Sequence, residues 1–382
     1  MNKILLATPG SWHLPHTAAA YLRRGELAEI WTSDRIKSEE VATKWKRCTP
    51  FHAAMTPFYR LGSQIVIEKA FYAALPFWRR WVRQQPLPEC NAVQGIMGYC
   101  TELFDRVDGQ QKKILKIVDC ANSHPVTYHG FWQRECDLWC PGEKVPIPRF
   151  MFSRMNRELE RADMIVVQST FCKESMVLNG IPAEKVFVNP MGVDTSIFVP
   201  RTTVPTKPRF VNVGTICLRK GHQYLFRAFQ KVRAVLPDAE LICIGDYKTD
   251  FRKERPLWEG TFTHYPKVSH PELAKLLQEC TAFVFPSQEE GIGRAQIEAL
   301  AAGLPVIGTH EGGTTTLVED GVQGYIARGR DPEHIADCMI RIARDRQANE
   351  RMGRAAFLKG GSGNSWLDYG DRLLAAVSSR LT

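Results

Sequence analysis

The sequence has no long apolar run and little that would bind a divalent ion. No stretch approaches the ~18–20 apolar residues of a membrane-spanning helix, and the short apolar run at the N-terminus stops at Pro9, which predicts a first strand and not a signal peptide. Asp-x-Asp, a carboxylate pair that often holds a divalent ion, does not occur. We therefore expect a metal-independent protein that is cytoplasmic or peripheral to the inner face of a membrane.

The cysteines do not form a disulfide framework. Their number, 11, is odd and they are spread from Cys48 to Cys338, which predicts a reducing compartment. One loose group of thiols and imidazoles comprises Cys120, His124, His129, Cys136 and Cys140. Its gaps are irregular, whereas zinc sites usually show tightly spaced pairs. Ordinary buried thiols are the favoured interpretation, and no metal site is predicted.

Length and charge indicate two domains and an anionic partner. The chain has 382 residues, with 44% hydrophobic and 24% charged, which is typical of globular proteins and large enough for two domains. Lys and Arg number 50 against 41 Asp and Glu, a net charge of +9. Much of the excess lies in residues 41–88, where the only acid is Glu68. The bases of this window are Lys44, Lys46, Arg47, Arg60, Lys69, Arg79, Arg80 and Arg83.

Part of the basic window has two interpretations. At helical spacing, Phe77, Trp78 and Trp81 share one face, and Arg79, Arg80 and Arg83 occupy the other. This pattern predicts either a helix lying in a membrane interface or a helix that packs its aromatic face into the core. The residues alone leave both open. Nucleic-acid-binding modules combine basic residues with a known fold or motif, none is present, and no nucleic-acid partner is expected.

Short apolar runs alternate with amphipathic segments along the chain. The predicted strands are 3–8, 114–118, 164–168, 186–189, 209–214, 240–245, 281–286 and 305–308. The predicted helices include 223–236, 271–279 and a final helix at 365–379. Continuous apolar strands between helices are typical of doubly wound α/β domains with parallel sheets.

A proline-rich stretch divides the chain. Residues 190–208 hold four prolines without a clear period, so they predict a linker. The expected organisation is an N-terminal domain at 1–189, a C-terminal domain at 209–364, and a last segment at 365–382.

The segment 285–324 is rich in features that bind anions. A strand is followed by a glycine-containing turn and by a helix that starts near Arg294, and the free amides and dipole of a helix N-terminus favour phosphate. Glu290 lies in the turn and Glu298 one turn into the helix, where few positions are polar. Carboxylates accept hydroxyl hydrogen bonds from a ribose or sugar ring. Solvated surface charges are the alternative, and the apolar surroundings of Glu298 favour a functional role.

A second candidate site follows another predicted strand. The segment from Gly214 to Gly221 carries Arg219 and Lys220 at the carboxyl end of a strand, where open α/β sheets bind ligands. Lys220 there would neutralise a diphosphate without a metal. An ordinary basic loop is the alternative. A dinucleotide-binding motif at Gly291 and Gly293 is disfavoured because the third glycine is missing.

Together these segments resemble the family-four (group 1) retaining glycosyltransferases of the GT-B fold. The resemblance rests on Glu-x7-Glu at Glu290 and Glu298 in the setting PS-x-x-EG-x-G…EALA-x-G-x-PVI, on Gly312-Gly313, and on the terminal SWLDYGDRLL. It implies two Rossmann-like domains that face each other across a cleft, with an acceptor-side N-terminal domain, a donor-binding C-terminal domain, and a last helix that crosses back to the first.

The resemblance also implies residue roles. Glu298 would bind the nucleotide ribose, Glu290 and His124 would face the donor sugar, and Lys220 would bind the diphosphate. Further donor-binding positions would be Arg219, Gly214, Gly10 and the amides of Gly293, Arg294 and Ala295. Without the resemblance, His124 would be interpreted as a structural histidine. The family commonly has arginine at the position of Thr215, and Arg219 is a candidate replacement.

The implied activity is transfer of a hexose-type sugar from a GDP- or UDP-sugar to a saccharide or lipid-linked acceptor, in bacterial surface polysaccharide or glycolipid assembly. The nucleotide sugar is a co-substrate, and no cofactor or metal is expected. Same-face attack on the anomeric carbon is the preferred mechanism of retention. A nucleotide-sugar epimerase or phosphorylase of the same fold, or a basic protein that binds anionic surfaces, are the alternatives.

Overall fold

The structure, a computed structural model, describes residues 2–10, 12–36, 38–61, 64–145 and 147–381. Ser11 of the first loop lies outside the described residues, as do the side chains of Arg60 and Glu68 of the basic window. Two parallel sheets, one of seven strands and one of six, organise the chain. Helices cover both faces of each, which confirms the doubly wound α/β prediction.

The first sheet has the strand order β3-β2-β1-β4-β5-β6-β7 and every pairing is parallel. Its strands are β1 (Ile4–Ala7), β2 (Leu27–Thr32), β3 (Trp45–Arg47), β4 (Ala92–Ile96), β5 (Leu115–Asp119), β6 (Met164–Val167) and β7 (Val186–Val188). Alternate residues of β1 enter two different cores, Leu5 and Ala7 on one face and Ile4 and Leu6 on the other. This double burial explains the continuous apolar runs.

Eight helices accompany the first sheet in the part of the chain that the structure describes. They are α1 (Leu14–Arg23), α2 (Glu39–Ala42), α3 (Thr49–Leu61), α4 (Gln64–Gln84), α5 (Thr101–Asp108), α6 (Pro125–Trp139), α7 (Arg149–Arg161) and α8 (Thr170–Leu178). The order of strands reverses between β1 and β4, so the loops that follow these strands open a crevice at their carboxyl ends.

The second sheet has the order β10-β9-β8-β11-β12-β13 and is also parallel. Its strands are β8 (Arg209–Val213), β9 (Glu240–Ile244), β10 (Thr263–Tyr265), β11 (Ala282–Phe285), β12 (Val306–Thr309) and β13 (Gly324–Ala327). Its helices are α9 (His222–Val235), α10 (Arg255–Trp258), α11 (His270–Gln278), α12 (Arg294–Ala301), α13 (Pro332–Arg344) and α14 (Arg346–Gly361). Here the order reverses between β8 and β11, which carry the two predicted anion-binding loops.

All eight predicted strands are observed, each end within one residue. The prediction missed β2, β3, β4, β10 and β13. Strand β4 was not predicted because Gln94 and Gly95 interrupt its apolar run, AVQGI. Gln94 is fully buried because its amide accepts a hydrogen bond from Tyr21 at 2.7 Å and donates one to Asp119 at 3.1 Å.

Two connectors join the sheets side by side. The amide of Val193 donates to the carbonyl of Asn364 at 2.8 Å, and a Cβ added to Gly192 would lie 2.6 Å from the backbone of Trp366. The final helix, α15 (Trp366–Leu381), then packs on α1 so closely that a Cβ on Gly370 would lie 2.1 Å from that of Ala20. The division at 1–189, 190–208, 209–364 and 365–382 stays a prediction.

The basic window forms α3, α4 and β3, and its aromatic face enters the core. Trp78 is fully buried, and Trp81 stacks on it at 5.6 Å and meets Trp31 edge-on at 5.7 Å. The membrane-interface interpretation is therefore wrong for Trp78, whose ring is fully buried in the core, whereas Trp81 is half-buried and packs against that core. Arg79 is held at 2.6 Å from the Glu102 carboxylate.

The remaining residues of that helix behave differently. Arg83 lies 3.5 Å from Glu102, while Phe77 is 50% exposed and Arg80 is exposed. In the ranges covered by the structure, no helix has the length and hydrophobicity to span a bilayer.

All 11 cysteines are free and buried, as the sequence predicted. Cys140, from the irregular Cys/His group, packs into a core of the second domain. Among the described residues, no three His, Cys, Asp or Glu side chains come together where they could hold a metal ion.

Candidate active site

A cavity of about 560 Å³, here called the donor cavity, opens at the carboxyl ends of β8, β9 and β11. Of the predicted site residues, those on its wall are Gly214, Lys220, Gly293, Arg294, Ala295 and Glu298. The loops after β8 and β11 thus bring together two sequence segments that lie about 70 residues apart, which is the arrangement expected at the reversal of strand order.

The N-terminus of α12 faces the donor cavity through its backbone. Gly293 precedes the helix in a left-handed conformation with φ 57°, and no side chain caps the helix. A Cβ on Gly293 would lie 2.5 Å from the Phe285 ring, so only glycine fits this turn. The amides of Arg294 and Ala295 on the cavity wall are therefore open to an anion, at the positive end of the helix dipole.

Glu290 is clamped by two cations at the edge of this cavity. Its Oε2 lies 2.7 Å from Lys220 Nζ and 3.3 Å from Arg219 Nη1. Burial alone would raise the pKa of Glu290, but the charges of Lys220 and Arg219 outweigh burial and hold it at about 2. Glu290 is therefore an ionised acceptor of hydrogen bonds at any physiological pH, beside an ammonium group that lines the cavity.

Arg219 lies behind Glu290 and not on the wall of the donor cavity. Its guanidinium lies 3.0 Å from Glu289 Oε2 and packs over the rings of Tyr128 at 5.6 Å and Trp132 at 5.9 Å. Arg219 contacts both carboxylates, and its replacement of the family's arginine stays a prediction. Thr215 itself is on the cavity wall.

Glu298 is buried at the opposite side of the cavity. Its Oε1 lies 3.2 Å from Arg294 Nε and 3.6 Å from His270 Nε2. Burial raises the pKa of Glu298, and both neighbours act against that rise. The geometry fits a carboxylate that is kept in place to accept hydrogen bonds from a ligand hydroxyl.

His124 caps α6 at the floor of the cleft. Its Nδ1 accepts a hydrogen bond from the Val126 amide at 3.3 Å, and burial lowers the pKa of His124 to about 4. The neutral ring therefore carries its proton on Nε2 and is a hydrogen-bond donor. His124 is not on the wall of the donor cavity, but its loop lies against the Glu290 loop: a Cβ on Gly291 would lie 2.1 Å from the Ala121 carbonyl oxygen.

Gly10 is not among the residues on the wall of the donor cavity, and its role in donor binding stays a prediction. A Cβ on Gly10 would lie 3.2 Å from the ring of Trp12.

Sequence reasoning missed Glu289, which joins the two domains. This fully buried carboxylate accepts hydrogen bonds from the Ser123 amide at 3.0 Å, from Ser123 Oγ at 2.8 Å and from Asn122 Nδ2 at 3.2 Å. Burial raises the pKa of Glu289, and the Arg219 charge acts against the rise. The only signal in the sequence was the unusual doublet of Glu289 and Glu290 in an apolar setting. Also missed were Asp246, Lys267 and His270 on the cavity wall.

The sequence is similar to those of known glycosyltransferases. Residues 194–359 match the family described as Glycosyl transferases group 1. D-inositol 3-phosphate glycosyltransferase of Paenarthrobacter aurescens (strain TC1) is 29% identical over 233 residues, which are 56% of this chain and 57% of the relative. Sulfoquinovosyl transferase SQD2 of Arabidopsis thaliana is 28% identical over 237 residues, 56% of this chain and 45% of the relative. The chain spans about half the length of these curated relatives.

Solved structures match nearly the whole chain. Sucrose-phosphate synthase from Thermosynechococcus elongatus has a TM-score of 0.72 at 17% identity and 99% coverage of both chains. Anabaena HepE in complex with UDP and glucose has a TM-score of 0.69 at 14% identity, with 99% of this chain and 100% of HepE covered. This likeness confirms the predicted GT-B arrangement of the two Rossmann-like domains. The family match over residues 194–359, the curated relatives and the fold together support a group 1 glycosyltransferase.

Proposed function

We propose that the chain transfers a hexose-type sugar from a UDP- or GDP-sugar to a saccharide or lipid-linked acceptor, with retention of configuration and without a metal ion. The observation that carries the proposal is the Lys220–Glu290 pair, 2.7 Å apart, beside the uncapped N-terminus of α12. One donor cavity thus offers a cation and amides to a diphosphate and a carboxylate to a sugar. HepE, with the same fold, was solved with UDP and glucose, which supports this class of donor.

The phosphate half of the reaction requires stabilisation of negative charge. As the bond between the anomeric carbon and the diphosphate breaks, charge develops on the β-phosphate. Lys220 and the amides of Arg294 and Ala295 are oriented for that charge before the reaction begins, which is the main advantage of a preorganised site. These groups supply the positive charge that a divalent ion would otherwise provide, and this supports metal independence.

The sugar half favours same-face attack. A carboxylate whose pKa is held at about 2 by two adjacent cations is a weak nucleophile, so Glu290 is better suited to accept hydroxyl hydrogen bonds than to form a glycosyl ester. The proposed roles are hydroxyl binding by Glu290, hydrogen-bond donation to the sugar by His124, and ribose binding by Glu298. The departing phosphate then takes the proton of the acceptor hydroxyl.

Donor binding is the first test. UDP-, GDP- and ADP-sugars are compared by thermal shift, since a ligand at 100 times its Kd adds about 2.7 kcal/mol. We expect stabilisation by one nucleotide class and release of its nucleoside diphosphate only with acceptor, unchanged by EDTA. An epimerase or phosphorylase would convert the donor without a sugar acceptor. Product of inverted configuration would contradict retention, and a glycosyl adduct trapped on Glu290 would exclude same-face attack.

We further propose a role in bacterial surface polysaccharide or glycolipid assembly on the inner face of the membrane. Phe77, Arg80 and Arg83 of α4 are exposed residues of the predicted contact, and the first two are the ones tested because Arg83 also lies 3.5 Å from Glu102. The double variant Phe77→Ala with Arg80→Glu should bind anionic phosphatidylglycerol vesicles more weakly, and Leu178→Ala, an exposed residue on α8, is the control. Equal vesicle binding by all three proteins would remove the membrane proposal and leave the transferase proposal intact.

A further inference from the structure

A second, smaller cavity lies beside the donor cavity and has a different lining. Its volume is about 250 Å³, and we call it the aromatic pocket. Its six aromatic residues are Trp12, Phe71, Tyr72, Tyr99, Tyr128 and Trp132. Ile67 is on the wall of both cavities, so the two are contiguous. Lys248 is the pocket's contribution from the second domain, and the pocket is therefore formed between the domains.

The aromatic pocket is physically linked to the donor-sugar carboxylate. Arg219 packs over two of its rings, Tyr128 and Trp132, and the same guanidinium lies 3.3 Å from Glu290 Oε2. One arginine side chain thus separates the pocket wall from Glu290. A group bound in the pocket would lie next to a sugar bound at Glu290, which is where an acceptor must place its hydroxyl.

The rings of the pocket are held in fixed orientations. Trp12 stacks on Tyr99 at 5.5 Å with an interplanar angle of 26°, and Phe71 meets both rings edge-on. Trp132 Nε1 donates a hydrogen bond to Asp250 at 3.1 Å. A pocket of preoriented rings loses little side-chain entropy when a ligand binds.

Trp12 combines exposure with an unfavourable backbone. Its side chain is 47% exposed, and its φ of 40° is rare for a residue other than glycine. Strained backbone conformations of this kind cluster at active sites, ligand clamps and switch regions. A Cβ at Gly10 would lie 3.2 Å from the Trp12 ring, so glycine leaves this ring more room than a larger residue would.

Resting on the proposed function, we propose that the aromatic pocket is the acceptor subsite and that it selects a cyclic acceptor with a flat apolar face. Aromatic rings bind best to flat apolar surfaces, and among the described residues on the pocket wall Lys248 is the single charged one. The C–H face of a pyranose and an aryl group share this chemistry. The acceptor oxygen forms the new bond to the anomeric carbon, the bond to the diphosphate breaks, and the acceptor proton passes to the leaving phosphate.

The test measures nucleoside diphosphate release from the stabilising donor with three acceptors: methyl glucoside, phenyl glucoside and the acyclic glycerol. We expect both rings to stimulate release and glycerol to fail. A larger effect of the phenyl compound would assign the pocket to an aryl group, and equal effects would assign it to the pyranose.

Trp12→Ala should raise KM for the ring acceptors about 10-fold or more. Trp12→Phe should bring KM most of the way back to the wild-type value, and donor binding should be unchanged in both variants. Tyr59→Ala, which removes an aromatic residue of similar exposure (45%), should behave as wild type.

Two results separate this proposal from the one on which it rests. An unchanged ring-acceptor KM in Trp12→Ala, or stimulation by glycerol equal to that by the glucosides, would overturn the acceptor subsite while the transferase proposal stands. No nucleotide release with any donor and acceptor would overturn the proposed function itself.

Discussion

The two cavities of the cleft are lined by different kinds of chemical group. The donor cavity uses backbone amides, a glycine turn and a few fixed charges, whereas the aromatic pocket uses the faces of side chains. Charge on a diphosphate is common to every nucleotide sugar, while a ring face is a property of the acceptor. The donor side is therefore suited to a general ligand, and the acceptor side to a particular one.

The comparison also extends to how each side is supported. Lys220 and Glu290 are held together by an ion pair. The aromatic rings of the first domain, in contrast, continue into its hydrophobic core through Phe71, Phe51 and Met55. A substitution on the donor side should therefore affect chemistry, and one below the acceptor side should affect folding. The following predictions test this difference, from the largest expected effect to the smallest.

Trp78→Ala should destabilise the first domain by about 3–5 kcal/mol, because it deletes a fully buried indole from the core. Chemical denaturation followed by circular dichroism measures the loss. Phe77→Ala, one residue away and 50% exposed, is the matched control and should change stability by less than about 1 kcal/mol. Similar losses in the two variants would contradict the packing of this helix.

Lys220→Met should lower kcat/KM about 10²–10³-fold while the fold remains intact, since it removes one of the preorganised groups that stabilise the leaving diphosphate. Lys207→Met, which breaks an exposed ion pair with Glu240, is the control for loss of a lysine. A fall confined to thermal stability, with kcat/KM preserved, would mean that Lys220 serves only to neutralise Glu290.

Glu289→Gln should lower kcat about 10-fold with little change in donor affinity, because its Nε2 amide would face the Asn122 and Arg219 donors that Oε2 now accepts from and would weaken the contact between the His124 loop and the donor loop. Glu174→Gln removes another carboxylate contact between the domains, 2.7 Å from His310, but on the exposed surface and away from Arg219. Its kcat should remain near wild type. Equal losses in the two variants would show that Glu289 contributes only to general contact between the domains.

Protonation of Glu290 should contribute little to the pH dependence of donor binding. Because the pKa of Glu290 is held at about 2, donor affinity should be flat down to about pH 4 as far as this group is concerned. The free energy of unfolding, in contrast, should depend on pH. Burial lowers the pKa of His222 to about 3 from 6.5, so only the unfolded chain takes up this proton as pH falls between these values.

Stability should therefore decrease from about pH 6.5 toward about pH 3, and His222→Gln should reduce the slope in a denaturation series. Burial raises the pKa of Glu298 in the same cavity, so the series is repeated with Glu298→Gln; a donor affinity that still falls between pH 6.5 and 4 in that variant would contradict the assigned state of Glu290.

The donor cavity could be predicted from the sequence because its parts follow one another at fixed spacing. A strand, a glycine turn and a helix place Gly293, Arg294 and Glu298 relative to one another by local geometry alone. The long buried strands were predictable for a similar reason, whereas the short edge strands β3 and β10 carry too few residues for a pattern.

The acceptor side could not be predicted in the same way. The aromatic pocket draws Trp12, Tyr99 and Trp132 from loops and helices separated by many residues, and no spacing relates them. Glu289 acquires its meaning only when the second domain meets Ser123 of the first. The helical pattern at Trp78 was correct, but periodicity does not indicate whether an apolar face meets a sheet or a lipid.

The paired connectors have a consequence for how substrates enter. Since Val193 and Asn364 are hydrogen-bonded and Gly192 lies directly against Trp366, both covalent crossings between the sheets pass through one place. Two connectors fixed side by side allow the domains to rotate about the single axis that passes through them. They oppose rotation of the domains about other axes. Movement of the cleft walls would then increase with distance from that single axis, so a side chain at Gly192 would change the angle of opening without touching either ligand.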